Sequence, residues 1–132
     1  MARVLVVDDS QETCDLLDLL LGQGSDGMNL EVVKATRPEE ALSGLATISA
    51  GVVVTDYFMP QMDGVEFIRR ASKIAPQAAF IMISGHNLEP IEHELCRLKR
   101  LKMRLQKPFG WRPLTAAVLK VWPGKDVPSL RP

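Results

Sequence analysis

Residues 3–9 read RVLVVDD, a short valine-rich run that ends in two acids, and residues 52–56 repeat this pattern as VVVTD. Continuous apolar runs of this length are typical of parallel strands that are buried on both faces. After Ser10, a residue type that caps helix N-termini, leucines recur at helical spacing at positions Leu16, Leu17, Leu20 and Leu21. These stretches predict strands that alternate with helices.

The same alternation continues along the rest of the chain. Further strands are predicted at 30–35, 80–83 and 103–105, and further helices near Pro38, after Gly64, from Pro90 and around Leu114. Five strands alternating with five helices predict an α/β fold, a doubly wound five-stranded parallel sheet in the flavodoxin-like order 2-1-3-4-5 with helices on both faces. We expect one domain over residues 1–122 and a Pro-rich tail at 123–132.

The composition is that of an ordinary globular domain, with 132 residues of which 46% are hydrophobic and 24% charged. No stretch approaches the roughly 20 apolar residues of a membrane span, and the N-terminus lacks the apolar region of a signal peptide. Cys14 and Cys96 show no metal-ligand spacing and fall in helical patterns. They are predicted to be small buried thiols, which fits a reducing, cytoplasmic compartment.

The net charge of zero conceals an asymmetry between the two halves of the chain. Residues 1–66 carry 12 acidic and 3 basic side chains, whereas residues 67–132 carry 4 acidic and 13 basic ones. The run 97–107 contains six basic residues and no acid. This run is interpreted either as a solvated face or as a docking surface for an acidic partner.

Polar side chains follow the predicted strands at the sheet edge where sites form in doubly wound folds. Asp8 and Asp9 follow the first strand, Asp56 ends the third, Ser84 ends the fourth, and Lys107 follows the fifth. Three carboxylates in one small site repel one another, and a divalent cation with oxygen ligands removes that repulsion. Magnesium suits such a site, and with magnesium a carboxylate can serve as the nucleophile in phosphoryl transfer.

Each of these residues also has a simpler structural interpretation. Asp8 and Asp9 could be acids that favour a helix N-terminus, and Asp63-Gly64 could be turn residues. His86 and His93 have no partner at ligand spacing and are predicted to be surface histidines.

Four segments in this order and spacing, VLVVDDS, TDYFMPQMDG, IMISG and QKPF, resemble the response regulator receiver family, the CheY-like domains of two-component signalling. The resemblance covers about residues 3–122. It implies that Asp56 accepts a phosphoryl group from a histidine kinase or a phosphotransfer protein, and that the domain slowly hydrolyses this group rather than acting as an ordinary enzyme.

The resemblance also implies a role for each of the other residues at this edge. Asp9 and Asp56 match side-chain ligands of Mg²⁺, Asp8 matches the acid that orders metal-bound water, and the backbone carbonyl of Phe58 matches the third protein ligand. Ser84 matches the switch hydroxyl, and Lys107, before a cis peptide bond, matches the lysine that pairs with the phosphoryl group.

One position departs from the family pattern, because Arg104 stands where receivers carry an aromatic switch residue. Burying an unpaired guanidinium is costly, so we expect Arg104 to stay outward with Lys99, Arg100 and Lys102. This basic surface would lie on the side of helix 4, strand 5 and helix 5, which receivers use for partners or homodimers. The downstream partner is unknown, and we expect neither direct nucleic-acid binding nor membrane contact.

Three other functions compete with this interpretation, and the sequence argues against each. A haloacid-dehalogenase-type phosphatase uses similar groups, but its nucleophilic Asp and the partner acid lie two residues apart after the first strand. In this chain the two acids after the first strand are adjacent, and the lone acid Asp56 follows the third strand, so the order differs. A flavodoxin-like cofactor binder needs a phosphate-binding loop where this chain has Asp8 and Asp9. A receiver fold that serves purely as an interaction module would not be phosphorylated. The sequence also leaves open whether the chain stands alone or is one domain of a larger regulator or hybrid kinase.

Overall fold

Five parallel strands form one sheet in the order β2-β1-β3-β4-β5, which confirms the predicted topology. The computed structural model describes residues 2–25, 30–124 and 127–130. The strands are β1 (Ala2–Val7), β2 (Leu30–Ala35), β3 (Val52–Asp56), β4 (Ala79–Ser84) and β5 (Leu101–Gln106). The helices are α1 (Gln11–Gly24), α2 (Pro38–Leu45), α3 (Gly64–Ile74), α4 (Glu92–Leu95) and α5 (Trp111–Val121), with a 3-10 turn at Glu89–Ile91 before α4.

The sheet separates two hydrophobic clusters, because successive side chains of a strand point to opposite faces. Every residue of β3 and β4 is buried, as expected for central strands of a doubly wound sheet. Val53 packs on the side of α2 and α3, whereas Val52 and Val54 pack on the side of α1 and α5. The central strands therefore hold the ends of β1, β3 and β4 in fixed positions.

Helix α1 begins as predicted, because the Ser10 hydroxyl accepts a hydrogen bond from the Thr13 backbone N–H at 3.2 Å. Its buried face consists of Cys14, Leu17, Leu21 and Gly24, whereas Leu16 of the predicted leucine set is 50% exposed. The helix runs through Gly22 to Gly24, and residues 26–29 lie outside the described ranges.

The segment between β4 and β5 differs most from the prediction. The helix expected from Pro90 to Leu98 is a 3-10 turn followed by one turn of α-helix. The chain turns at 96–100 after α4. Strand β5 then begins at Leu101, two residues before its predicted start. Cys96 lies just after α4 and is exposed, so the prediction that it is buried is wrong, whereas Cys14 is buried.

Part of the C-terminal segment packs against the domain. Pro128 and Leu130 are buried, and Leu130 joins the cluster between the sheet and helices α1 and α5. Leu130 also forms an antiparallel bridge with Ser25 at the end of α1. Among the described residues no helix combines the length and the apolar character that crossing a bilayer requires.

Candidate functional site

The three predicted acids meet at the carboxyl end of the sheet. Asp8 and Asp9 follow β1, and Asp56 is the last residue of the neighbouring strand β3. One carboxylate oxygen from each lies within 4.8 Å of the others. Asp8 and Asp56 are buried, with 1% and 7% of their surface exposed, whereas Asp9 is exposed. Such a group of oxygen ligands, open on one side, matches what Mg²⁺ requires from a protein.

Lys107 reaches the acids from the other half of the chain. Its Nζ lies 3.1 Å from Oδ2 of Asp8 and 3.6 Å from Oδ1 of Asp56. Its backbone N–H donates to the Ser84 carbonyl at 2.8 Å, which extends the β4–β5 pairing beyond β5, and the Lys107–Pro108 peptide bond is cis. One ammonium is therefore present for three carboxylates, and negative charge remains in excess.

This excess of negative charge affects the pKa of Asp56. Burial raises the pKa of Asp56, and the neighbouring Asp8 carboxylate raises it further, against the opposing effects of Lys107 and the Tyr57 backbone N–H. That N–H donates to Oδ1 of Asp56 at 2.9 Å. A divalent cation would offset the repulsion between the acids and favour the ionised, nucleophilic form of Asp56.

The loop after Asp56 is closed by Gly64. The Gly64 N–H donates to the Tyr57 carbonyl at 2.7 Å, and a Cβ at Gly64 would lie only 2.7 Å from the Asp56 carbonyl oxygen. Asp63 caps α3 by accepting from the Glu66 N–H at 2.9 Å. Asp63 and Gly64 are therefore turn and cap residues that fix the backbone on which Asp56 sits.

Ser84 is buried at 1% exposure, and its hydroxyl is bound by its own turn. The hydroxyl accepts from the His86 N–H at 2.9 Å and donates to the His86 carbonyl at 3.1 Å. To bond a group on Asp56, the Ser84 hydroxyl has to release at least one of these partners.

Two aromatic contacts at the edge of the site were not predicted. The Phe58 ring is 53% exposed and makes edge-to-face contacts with Tyr57 and His86, at centroid distances of 4.7 Å and 4.8 Å. His86 thus has a ring partner, although it is exposed as expected. The only sequence signal for the contact between Phe58 and His86 is that the loops after β3 and β4 follow neighbouring strands. The role of the Phe58 backbone carbonyl as a metal ligand stays a prediction.

Arg104 is exposed, but its charge is paired. Its Nη1 donates to Oε1 of Glu92 in α4 at 2.7 Å. Arg100 donates from Nε to the Ala78 carbonyl at 2.7 Å and from Nη2 to the Gln77 carbonyl at 2.9 Å. Lys99 and Lys102 are exposed and form no ion pair within the described ranges. The basic surface therefore has fewer unpaired cations than the sequence alone indicates.

Fold and site together define a class of protein, flavodoxin-like domains that gather acids and a lysine where the strand order reverses. Comparison with known proteins makes this more specific. Residues 4–119 match the response regulator receiver domain. The chain therefore belongs to the response regulator receiver family, which serves two-component systems, and the predicted resemblance is confirmed.

Individual relatives agree with this assignment. The chain is 30% identical over 116 residues to the transcriptional regulatory protein FixJ of Bradyrhizobium diazoefficiens, covering 88% of this chain and 54% of FixJ. Chemotaxis protein CheY4 of Vibrio cholerae superposes with a TM-score of 0.81 at 25% identity, covering 92% of this chain and 98% of that one. The beryllofluoride-activated NtrC4 receiver domain dimer superposes with a TM-score of 0.79 at 25% identity, covering 92% and 97%. The chain spans about half the length of FixJ.

Proposed function

We propose that this chain is a phosphoacceptor domain, in which Asp56 takes a phosphoryl group from a histidine kinase or a phosphotransfer protein in a magnesium-dependent reaction. The observation that carries the proposal is the convergence of Asp8, Asp9 and Asp56 with Lys107 at one edge of the sheet. The family supports the same role, since receivers act in signalling.

The reaction requires little from the protein beyond position and charge. A carboxylate oxygen of Asp56 attacks the phosphorus, and the bond between phosphorus and the donor's imidazole nitrogen breaks as the new P–O bond forms. Bound magnesium would supply neutralising charge to the phosphoryl oxygens. Lys107 and the Ser84 hydroxyl would hold two of those oxygens once Ser84 leaves His86.

The donor set fits the proposed cation. Asp9 and Asp56 would hold the metal directly, and Asp8, which already accepts from Ser10 and Lys107, would orient metal-bound water. The Phe58 carbonyl would complete the protein ligands. All of these are oxygen atoms, which favours magnesium over softer metals.

The acceptor is tested by incubation with acetyl phosphate and magnesium. The protein should gain one phosphoryl group that is stable in acid and labile in base, and Asp56→Asn should remove all labelling. Asp63→Asn is the matched control, because it changes an acid in the same loop to a residue that caps helices equally well. Equal labelling of wild type and Asp56→Asn would show that Asp56 is not the acceptor, and a wild type that takes no label would favour a pure interaction module.

We further propose that the signal leaves through protein docking rather than through an activity of this domain. Slow hydrolysis of the acyl phosphate would end the signal. The exposed Lys99 and Lys102 suit an acidic downstream partner or a second copy of the chain on the α4–β5–α5 side. We place this role in the cytoplasm, a reducing compartment that fits two free cysteines.

A further inference from the structure

We propose that the ion pair between Arg104 and Glu92 is a latch that holds the β4–α4 loop (residues 85–91) in its unphosphorylated arrangement and that opens when Asp56 is phosphorylated. The inference rests on the proposed function and adds a means by which the acceptor site controls the α4–β5 surface.

The ion pair joins a weakly anchored helix to a rigid strand. Helix α4 has four residues, of which Leu95 is buried, and Glu92 is its first residue. Arg104 lies in the middle of β5, in register with Met82 of β4. Because the sheet fixes the Arg104 backbone, the bond to Glu92 favours the position in which α4 begins beside β5.

Space lies between this latch and Ser84. A cavity of about 260 Å³ is lined by Ser84, Asn87, Leu88, Glu92, Arg104 and Gln106, among others. Close-packed parts of a protein resist displacement, whereas a loop beside a cavity can shift without expelling packed side chains. The β4–α4 loop therefore has room to change position.

The strand order gives the direction of the shift. Strands β3 and β5 lie on opposite sides of β4. A phosphoryl group on Asp56, at the end of β3, draws the Ser84 hydroxyl away from the His86 backbone and toward β3. The loop that follows Ser84 moves the same way, which carries Glu92 away from Arg104 on β5.

Opening the latch changes the charge of the surface. Arg104 has 37% of its side chain exposed while it is paired. A guanidinium that loses its carboxylate stays in water, because burying an unpaired charge is costly. The phosphorylated domain would therefore present Arg104 as a free cation beside Lys102.

A latch that exists in one state opposes the other state, so its removal should favour the phosphorylated arrangement. Exposed ion pairs are weak, and we expect Glu92→Ala or Arg104→Ala to bind beryllofluoride, a small phosphoryl mimic, about two- to fivefold more tightly than wild type. Affinity is measured by isothermal titration calorimetry at saturating magnesium. High salt should shrink this difference, because salt screens the pair.

Two matched controls separate the latch from general charge effects. Glu94→Ala removes an exposed acid from the same helix, and Lys73→Ala removes an exposed cation from the last turn of α3. Both should bind beryllofluoride as wild type does. The double variant Glu92→Ala/Arg104→Ala should bind beryllofluoride no more tightly than the tighter of the two single variants, since either change alone already breaks the ion pair.

The outcomes of these measurements distinguish a failure of the latch from a failure of the proposed phosphoacceptor function. If wild type binds beryllofluoride no better than Asp56→Asn, the proposed acceptor function fails and the latch with it. If wild type binds but the two single variants match their controls, the latch is wrong and the acceptor function stands. Independent, multiplying effects in the double variant would also overturn the latch.

Discussion

Asp8 and Asp9 are neighbours in the chain, but they lie in different environments. The Asp8 carboxylate is buried and accepts from the Ser10 N–H at 2.9 Å and from Lys107 Nζ at 3.1 Å. Asp9 is exposed, and its side chain forms no hydrogen bond or ion pair within the described ranges. Asp8 therefore organises the site, whereas Asp9 has its oxygens available for a cation.

This difference predicts the effect of Asp9→Ala. Loss of a direct ligand should weaken magnesium binding by at least about tenfold, since even changes beyond the direct ligands cost about that much. The free energy of unfolding without metal should change by less than about 0.5 kcal/mol, because Asp9 is exposed. Magnesium titration and urea unfolding measure the two quantities.

Glu12→Ala, which removes an exposed acid from the first turn of α1, is the control. Unchanged magnesium affinity in Asp9→Ala would exclude the proposed site.

The sequence predicts some residue contacts and leaves others undetermined. Asp8, Asp56 and Lys107 could be placed together because parallel strands end at the same edge of a sheet, whatever their side chains. The pairing of Arg104 with Glu92 could not be predicted, since it depends on where the short helix α4 lies against β5. The run 97–107 contains no acid, so charge counting along the chain suggested an unpaired Arg104.

At the scale of elements, helices α1 and α5 pack closely at Gly24. A Cβ at this position would lie 2.1 Å from Cγ2 of Thr115, whereas a Cβ at Gly22 would meet nothing within 4 Å. Both glycines belong to α1, but Gly24 is buried and Gly22 is exposed. Gly22 therefore shows only the destabilising effect of glycine in a helix, whereas Gly24 also allows α1 and α5 to pack closely.

Substitution by alanine should have opposite effects at the two positions. Gly22→Ala should stabilise the domain by about 0.5–1 kcal/mol, because alanine loses less backbone entropy in a helix. Gly24→Ala should destabilise it by about 1–3 kcal/mol, because the added methyl group overpacks the contact with Thr115. Urea unfolding midpoints of the two variants test this pair. A stabilising Gly24→Ala would mean that the helices can separate at no cost.

The bounds of helices and strands could be predicted where burial produces a clear pattern of apolar residues in the sequence. The apolar runs of β3 and β4 identify central strands, and Ser10 marks the start of α1. Strand β5 was predicted too short because it is an edge strand, in which the half-buried Leu101, Met103 and Leu105 alternate with exposed polar residues. Helix α4 was predicted too long because apolar spacing continues to Leu98, after the chain has already left the helix.

At the scale of the whole molecule, the fold joins the acidic half of the sequence to the basic half at the site. Asp8, Asp9 and Asp56 come from the first half, and Lys107 comes from the second. The zero net charge of the chain is thus not the charge of the site, which holds more acids than bases. Without metal, this local excess works against the folded state.

The stability of the whole domain should therefore rise when Asp56 loses its charge. The pKa of Asp56 is raised above its ordinary value of 3.8 by burial and by Asp8. The folded state then binds a proton more tightly than the unfolded state, so stability falls as the pH rises from 3.8 through the folded pKa and stays lower at neutral pH. Asn cannot ionise, and Asp56→Asn should be more stable than wild type at pH 7 in the presence of a chelator.

Urea unfolding between pH 3 and pH 8, with chelator, measures this difference. It should be largest near neutral pH and shrink as the pH falls toward about 3.8, with Asp63→Asn as the control for an exposed acid. Magnesium should act in the opposite direction, since a ligand at 100 times its Kd stabilises the folded state by about 2.7 kcal/mol. Asp56→Asn removes one ligand of the proposed site and should bind the cation more weakly than wild type, so excess magnesium should remove or reverse the advantage of the variant. An Asp56→Asn variant that is less stable than wild type at pH 7 without metal would contradict the charge excess at the site.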